Sequence, residues 1–95
     1  MQLTLAVEMT DGDRFEVATN LFTVVSWERK FKRKASDMAN GIGIEDLLYL
    51  AHTAAKDNGI TVPLMFDDFI KKAKSVDVVG QEDANPIETA HGDIN

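Results

Sequence analysis

The first eighteen residues alternate between apolar and polar positions, which is the period expected of a half-buried β-strand. The apolar members of this pattern are Leu3, Leu5, Val7, Met9, Phe15 and Val17. Asp11-Gly12 interrupts the alternation with residues that favour the positive φ of a tight turn. The pattern predicts a β-hairpin over residues 2–18. Because a hairpin alone is marginally stable, its apolar face must pack on other elements of the chain or on a partner.

Beyond Asn20 the hydrophobic period changes from two residues to three or four, which is typical of amphipathic helices. The pattern predicts three helices, over about residues 20–39, 44–58 and 64–75. Thr19 or Asn20 can cap the first of them. Two glycines within residues 40–43 end the first helix, and Asn58-Gly59 ends the second.

The last sixteen residues, 80–95, contain few large apolar side chains and no periodicity. Such a segment is expected to form a disordered acidic tail. The chain of 95 residues suits one small domain, which we assign to residues 1–79. The predicted fold class is therefore mostly α (α+β), with an N-terminal β-hairpin followed by a three-helix domain.

Composition narrows the possible functions. The chain has no cysteine, which excludes disulfides, thiolate nucleophiles and cysteine-based metal sites. The N-terminal residues lack a basic and then apolar signal segment, and no apolar run approaches the roughly 18 residues that span a bilayer. We therefore expect a soluble, cytoplasmic protein with no membrane partner.

The charge is unevenly distributed along an acidic chain of net charge -6. Five of the ten Lys and Arg residues lie in the segment WERKFKRK, residues 27–34. These cations could contact phosphates while Trp27 or Phe31 stacks on a base, which makes a small nucleic-acid-binding regulator the alternative function. A solvated helix face explains the same charges, and the negative net charge makes nucleic acid an unlikely partner.

No set of residues converges on catalysis or metal binding. His52 lies within a predicted helix without further ligands at i±4, and His91 lies in the predicted tail. Asp67 and Asp68 are adjacent on a helix and point about 100° apart. The Asp11-Gly12-Asp13 turn lacks the later ligands of a calcium loop. We expect a protein that binds rather than an enzyme, with no cofactor.

The order of three segments is more distinctive than any single one: TNLFTVVSWERKFKRKASDM, GIEDLLYLAHTAAKDNG and VPLMFDDFIKKAKSVDVV, followed by an acidic end. This order resembles the tail assembly chaperones of long-tailed, siphovirus-type bacteriophages. In that family a W/F-E-R segment precedes an E-D-L-x-x-L-A helix and an F-x-x-F helix. The resemblance covers about residues 13–79.

The resemblance implies a non-enzymatic chaperone that binds the tape measure protein and keeps it soluble during tail morphogenesis. It implies action in the host bacterial cytoplasm and absence from the mature virion. A frameshifted longer form of the chain and the tail tube protein are further partners that the resemblance implies. A structural tail component, which would remain in the virion, is a third interpretation.

The motif positions are candidates for a protein-interaction surface, although their default role is to maintain the fold. The candidates are Trp27, Glu28, Arg29, Phe31, Leu47, Leu50, Ala51, Phe66 and Phe69. Trp27 and Phe31 lie one helical turn apart, so core packing explains them as well as an interface does. Any apolar patch that the small domain leaves uncovered would favour a protein partner or a homo-oligomer.

Overall fold

A computed structural model gives the structure of residues 2–82, and the structural statements that follow concern these residues. The chain forms β1 (Gln2–Met9), β2 (Arg14–Ala18), α1 (Leu21–Phe31), a 3-10 helix (Ala35–Asn40), α2 (Ile44–Asp57), α3 (Phe66–Lys72) and β3 (Ala73–Glu82). No helix in this part of the chain is long and apolar enough to cross a membrane.

Strand β1 lies at the centre of a three-stranded antiparallel sheet of order β2-β1-β3. It pairs with β2 through the hairpin that the alternation predicted, with Glu8 opposite Arg14. Gly12 has a φ of 97° in the connecting turn, a conformation that glycine adopts without strain. On its other edge β1 pairs with β3, and Gln2 lies opposite Glu82.

The predicted mostly α class is wrong, because the chain is a small α+β domain with three helices and a third strand. The third helix ends at Lys72 instead of about residue 75, and Ala73 is already extended. The predicted tail also begins too early, because Gly80 and Gln81 pair with β1. The hairpin leaves one edge of β1 unpaired, and β3 satisfies the backbone groups of that edge. Residues 83–95 of the predicted tail lie outside the described residues.

The predicted first helix is also too long, because α1 ends at Phe31 rather than about residue 39. Lys32 adopts the left-handed conformation, with φ 57° and ψ 42°, and its N–H donates to the Glu28 carbonyl. The carboxylate of Glu28 then accepts a hydrogen bond of 2.6 Å from the Ala35 amide and holds the following 3-10 helix. Helix α2 ends within one residue of its predicted boundary.

Helix α2 is the central element of the helical layer. It packs against the sheet and lies between α1 and α3, so most of its side chains are buried. A narrow stripe of α2 reaches the surface, formed by Glu45, Tyr49, Thr53 and Lys56. The buried apolar core joins both layers: Leu3, Leu5, Val7, Met9, Val17, Trp27, Met38, Leu47, Leu48, Leu50, Ala51, Ala54, Ala55, Phe69 and Val76.

Candidate protein-interaction surface

The structure separates the nine predicted interaction residues into buried and accessible groups. Trp27, Leu50, Ala51 and Phe69 are fully buried, and Leu47 is 8% exposed. A partner cannot reach these five side chains in this fold, so their role is to form the core. Glu28, Phe31 and Phe66 are half-buried, and Arg29 is exposed. Only these four of the nine predicted residues are therefore accessible to a partner.

The W-E-R and E-D motifs meet in a buried polar contact. Trp27 Nε1 donates a hydrogen bond of 2.9 Å to Asp46 Oδ1, and the Gly43 amide donates to Asp46 Oδ2 over the same distance. Arg33 also lies 3.7 Å from Asp46 Oδ2, and its guanidinium carbon lies 5.5 Å from the centroid of the Trp27 ring. One carboxylate thus caps the start of α2 and holds the end of α1 against it.

His52 fixes the position of α3. Its Nε2 donates to the Pro63 carbonyl over 2.6 Å, and its ring stacks on Phe69 at a centroid distance of 4.8 Å. Burial lowers the pKa of His52 below its ordinary value, and the positive charge of Lys56 acts in the same direction, whereas the Pro63 hydrogen bond opposes the shift. The neutral imidazole is therefore a structural link rather than an exposed ligand.

Three aromatic side chains form a row across the outer surface of the helical layer. Tyr49 on α2 lies between Phe31 on α1 and Phe66 on α3, with ring centroids 5.5 and 5.4 Å away. Both contacts are edge-to-face, at interplanar angles of 88° and 82°. All three residues are half-buried, so each ring is anchored on one side and open to solvent on the other. We call Phe31, Tyr49 and Phe66 the aromatic row.

Two strongly exposed apolar residues precede Phe66 in the chain. Leu64 is 80% exposed and Met65 is 68% exposed, although both are large hydrophobic side chains. Together with the aromatic row they make up what we call the docking surface. Sequence analysis missed Tyr49, Leu64 and Met65. The uninterrupted apolar run VPLMF, which lacks a helical period, is the signal that could have identified the last two.

Charges of opposite sign flank the docking surface. Arg29, Lys30 and Lys32 are exposed around the Phe31 end of the row. Asp67 and Asp68 are exposed directly after Phe66 at the other end. On the exposed stripe of α2, Glu45 lies one turn before Tyr49, and Lys56 lies at the opposite end of the stripe. Positive charge therefore gathers beside Phe31 at the α1 end, and negative charge lies beside Phe66 at the start of α3, one turn before Lys71 and Lys72.

The opposite face of the molecule has a different character. The solvent side of the sheet carries ion pairs from Glu8 to Arg14, at 3.6 Å, and to Lys74, at 3.8 Å. Within residues 2–82, no group of three or more His, Asp or Glu side chains is arranged to hold a metal ion.

The docking surface combines open aromatic area with neighbouring charge, and this combination can bind an apolar segment of another protein.

A comparison of the chain with protein-family models, curated proteins and solved structures finds no match. The docking surface and the order of the motifs are therefore the features that bear on function. The docking surface shares Phe31 and Phe66 with the motif candidates and adds Tyr49, Leu64 and Met65 to them.

Proposed function

We propose that this chain is a phage tail assembly chaperone that binds the tape measure protein and keeps it soluble. The observation that carries the proposal is the docking surface, where the strongly exposed Leu64 and Met65 directly precede Phe66 of the aromatic row. Exposed apolar area of this kind is typical of a protein-binding site. The order of the W-E-R, E-D-L and F-x-x-F motifs supports the choice of client.

The proposed mechanism is transient burial of apolar helix faces of the client. A buried Leu or Met side chain stabilises a complex by about 2 kcal/mol before the entropic costs of association are subtracted. A surface with two such side chains and three half-buried rings therefore binds weakly and reversibly. Several copies on one long client would gain strength through avidity, which suits a chaperone that must later leave.

Buried contacts hold the elements that carry the docking surface in fixed positions. Asp46 holds α1 against α2, and the bond from His52 to Pro63 fixes the segment that leads to Leu64. Because all three helices are held by buried contacts, little ordering entropy is lost when a client docks. This preorganisation supports a binding function without requiring any chemistry at the site.

Co-expression tests the proposal directly. The tape measure protein of the same phage genome is expressed alone, with this chain, or with an unrelated acidic protein of similar size as the control. We expect this chain alone to raise the soluble fraction of the tape measure protein and to co-purify with it. Unchanged solubility together with the absence of a complex would overturn the chaperone function.

The two other interpretations are a nucleic-acid-binding regulator and a structural tail component. The nucleic-acid hypothesis relied on a basic helix over residues 27–34, but α1 ends at Phe31 and Arg33 is paired with Asp46. A structural tail component would be retained in purified virions. Mass spectrometry of gradient-purified particles separates that role from a chaperone, which we expect to be absent from them.

A further inference from the structure

The spacing and the charge of the docking surface define its occupant more closely. Neighbouring ring centroids in the aromatic row are 5.5 and 5.4 Å apart. An α-helix advances about 5.4 Å per turn, so side chains at i, i+4 and i+7 recur at nearly the same interval. A helix that lies along the row therefore places one side chain on each of the three rings.

The charged residues then lie where the ends of such a helix would be. Arg29, Lys30 and Lys32 form no ion pair with any acidic side chain of residues 2–81, so they are available to a partner. Asp67 and Asp68 also have no ion-pair partner within that part of the chain. A uniformly acidic or uniformly basic helix would meet attraction at one end and repulsion at the other.

We propose that the docking surface selects an amphipathic helix of bipolar charge, with carboxylates over the end of α1 and cationic side chains over the start of α3. The inference rests on the proposed function and specifies the chemistry of the client segment. A helix with Glu at one end and Lys at the other is attracted at both ends. Segments of the tape measure protein with this pattern are the preferred binding sites.

Two other occupants of the docking surface are a second copy of the chain and the chain's own residues 83–95. Charge complementarity and ring spacing together favour the bipolar helix over both. A second copy of the chain would bring like charges together in a parallel arrangement of the two surfaces and would pair opposite charges only in an antiparallel one. The chain's own residues 83–95 contain Asp83, Glu88 and Asp93 but no Lys or Arg, so they match only the α1 end. A bipolar helix satisfies both ends at once, and its pitch also matches the ring spacing of the aromatic row, which favours it over both alternatives.

Three synthetic peptides test the inference by fluorescence anisotropy with the full-length protein. All carry the same leucine face at i, i+4 and i+7. The first has Glu at one end and Lys at the other, the second has Glu at both ends, and the third has Lys at both ends. We expect the bipolar peptide to bind about fivefold more tightly than the others at low salt. This preference should disappear near 1 M salt, where the Debye length is about 3 Å.

A charge-reversed protein supplies the decisive comparison. In the variant Arg29→Glu with Lys30→Glu, the summed charge of residues 29, 30 and 32 falls from +3 to -1, so the peptide with Lys at both ends should become the tightest. The control is Arg14→Glu with Lys74→Glu, which changes the net charge equally on the opposite face of the molecule. This control should keep the preference for the bipolar peptide, and circular dichroism verifies that both variants fold.

The possible failures are distinguishable. Equal affinities for the three peptides, or no binding by any of them, would overturn the inference, and the co-expression result would then decide the chaperone function separately. Displacement of the bipolar peptide by a synthetic peptide of residues 83–95 would make the chain's own segment the occupant. Loss of peptide binding as the protein self-associates would assign the surface to a second copy. Either of these results also overturns the inference.

Discussion

Trp27 and Asp46 are joined by a buried hydrogen bond of 2.9 Å from the indole Nε1 to Oδ1, and this bond connects α1 to the first turn of α2. The indole is fully buried, and Asp46 is 7% exposed. A charged acceptor in this position satisfies the only polar atom of the indole side chain. The W-E-R and E-D-L motifs, which suggested a binding role, therefore contact each other and hold α1 against α2.

Replacement of Asp46 by Ala should lower the free energy of unfolding by about 2–4 kcal/mol, because it leaves the indole N–H unpaired and removes the cap of α2. Asp46→Asn should cost less, since an amide oxygen can still accept from Trp27. The neighbouring Glu45→Ala is the control, because that side chain is exposed and should cost less than about 1 kcal/mol. Urea unfolding measures all three. Equal effects at residues 45 and 46 would contradict the assigned network.

Lys32→Gly should stabilise the protein by up to about 1 kcal/mol, because Lys32 has a φ of 57° and glycine adopts this conformation without the Cβ penalty. The matched control is Lys30→Gly, two residues earlier in the last turn of α1, which should destabilise by about 0.5–1 kcal/mol. Thermal unfolding of the two variants should show melting temperatures that move in opposite directions. A shift in the same direction would argue against the end of α1 at Phe31.

His52 should make stability depend on pH. Burial lowers its pKa in the folded state below the ordinary value of 6.5, so the unfolded state binds the proton more readily. The contribution of the neutral imidazole is therefore fully present above about pH 7 and is lost as the pH falls through 6.5 toward the lowered pKa. The free energy of unfolding, measured between about pH 8 and pH 5, should decline more steeply for the wild type than for His52→Gln. Parallel curves would exclude His52 as the cause.

Val76→Asn tests the third strand. Val76 is 8% exposed and lies opposite Val7, so a buried amide there should cost about 2–4 kcal/mol. Val79 is the extra residue of the bulge between the pairs at Gly80 and Val78, and it is 54% exposed. Val79→Asn is accordingly the control and should cost less than about 1 kcal/mol. Similar small losses for both variants would mean that β3 does not pair with β1.

Leu64→Ser separates binding from folding. Because Leu64 is 80% exposed, the substitution should change the free energy of unfolding by less than about 0.5 kcal/mol while it lowers recovery of the tape measure protein in co-expression. Leu21→Ser is a matched control, since Leu21 is also 80% exposed but lies at the start of α1, away from the aromatic row. Equal recovery with the two variants would show that the docking surface has no special role.

The strand that sequence analysis missed shows where local patterns stop being informative. The predicted tail begins at Gly80, because residues 80–95 contain few large apolar side chains and no periodicity. In the sheet Gly80 allows close approach, since a Cβ at this position would lie 3.3 Å from Thr4 Cβ. The pairing of Gly80 with Thr4 joins residues far apart in the chain, and no local period in the sequence reports such a contact.

The candidate site was predicted only in part for a similar reason. Helical periodicity marked Phe31 and Phe66 as apolar positions, but the same period marked Trp27 and Phe69, which are fully buried. Tyr49 lies in the segment GIEDLLYLAHTAAKDNG but is not among the predicted interaction residues. Which aromatic side chains remain open depends on how α1 and α3 pack on either side of α2.

The sequence by itself determined the local elements: the hairpin by its alternation and Asp-Gly turn, and α2 by its apolar period and terminal residues. These features depend on residues within one or two turns of each other, so they can be read in order along the chain. The tertiary structure decided the rest. Strand β3 pairs with the edge of β1 that the hairpin leaves free. Helix α1 ends earlier than predicted, and Asp46 contacts both Trp27 within it and Arg33 just after it. Packing of three helices left Phe31, Tyr49 and Phe66 in one row, because burial is a property of the assembled layers and not of any single segment.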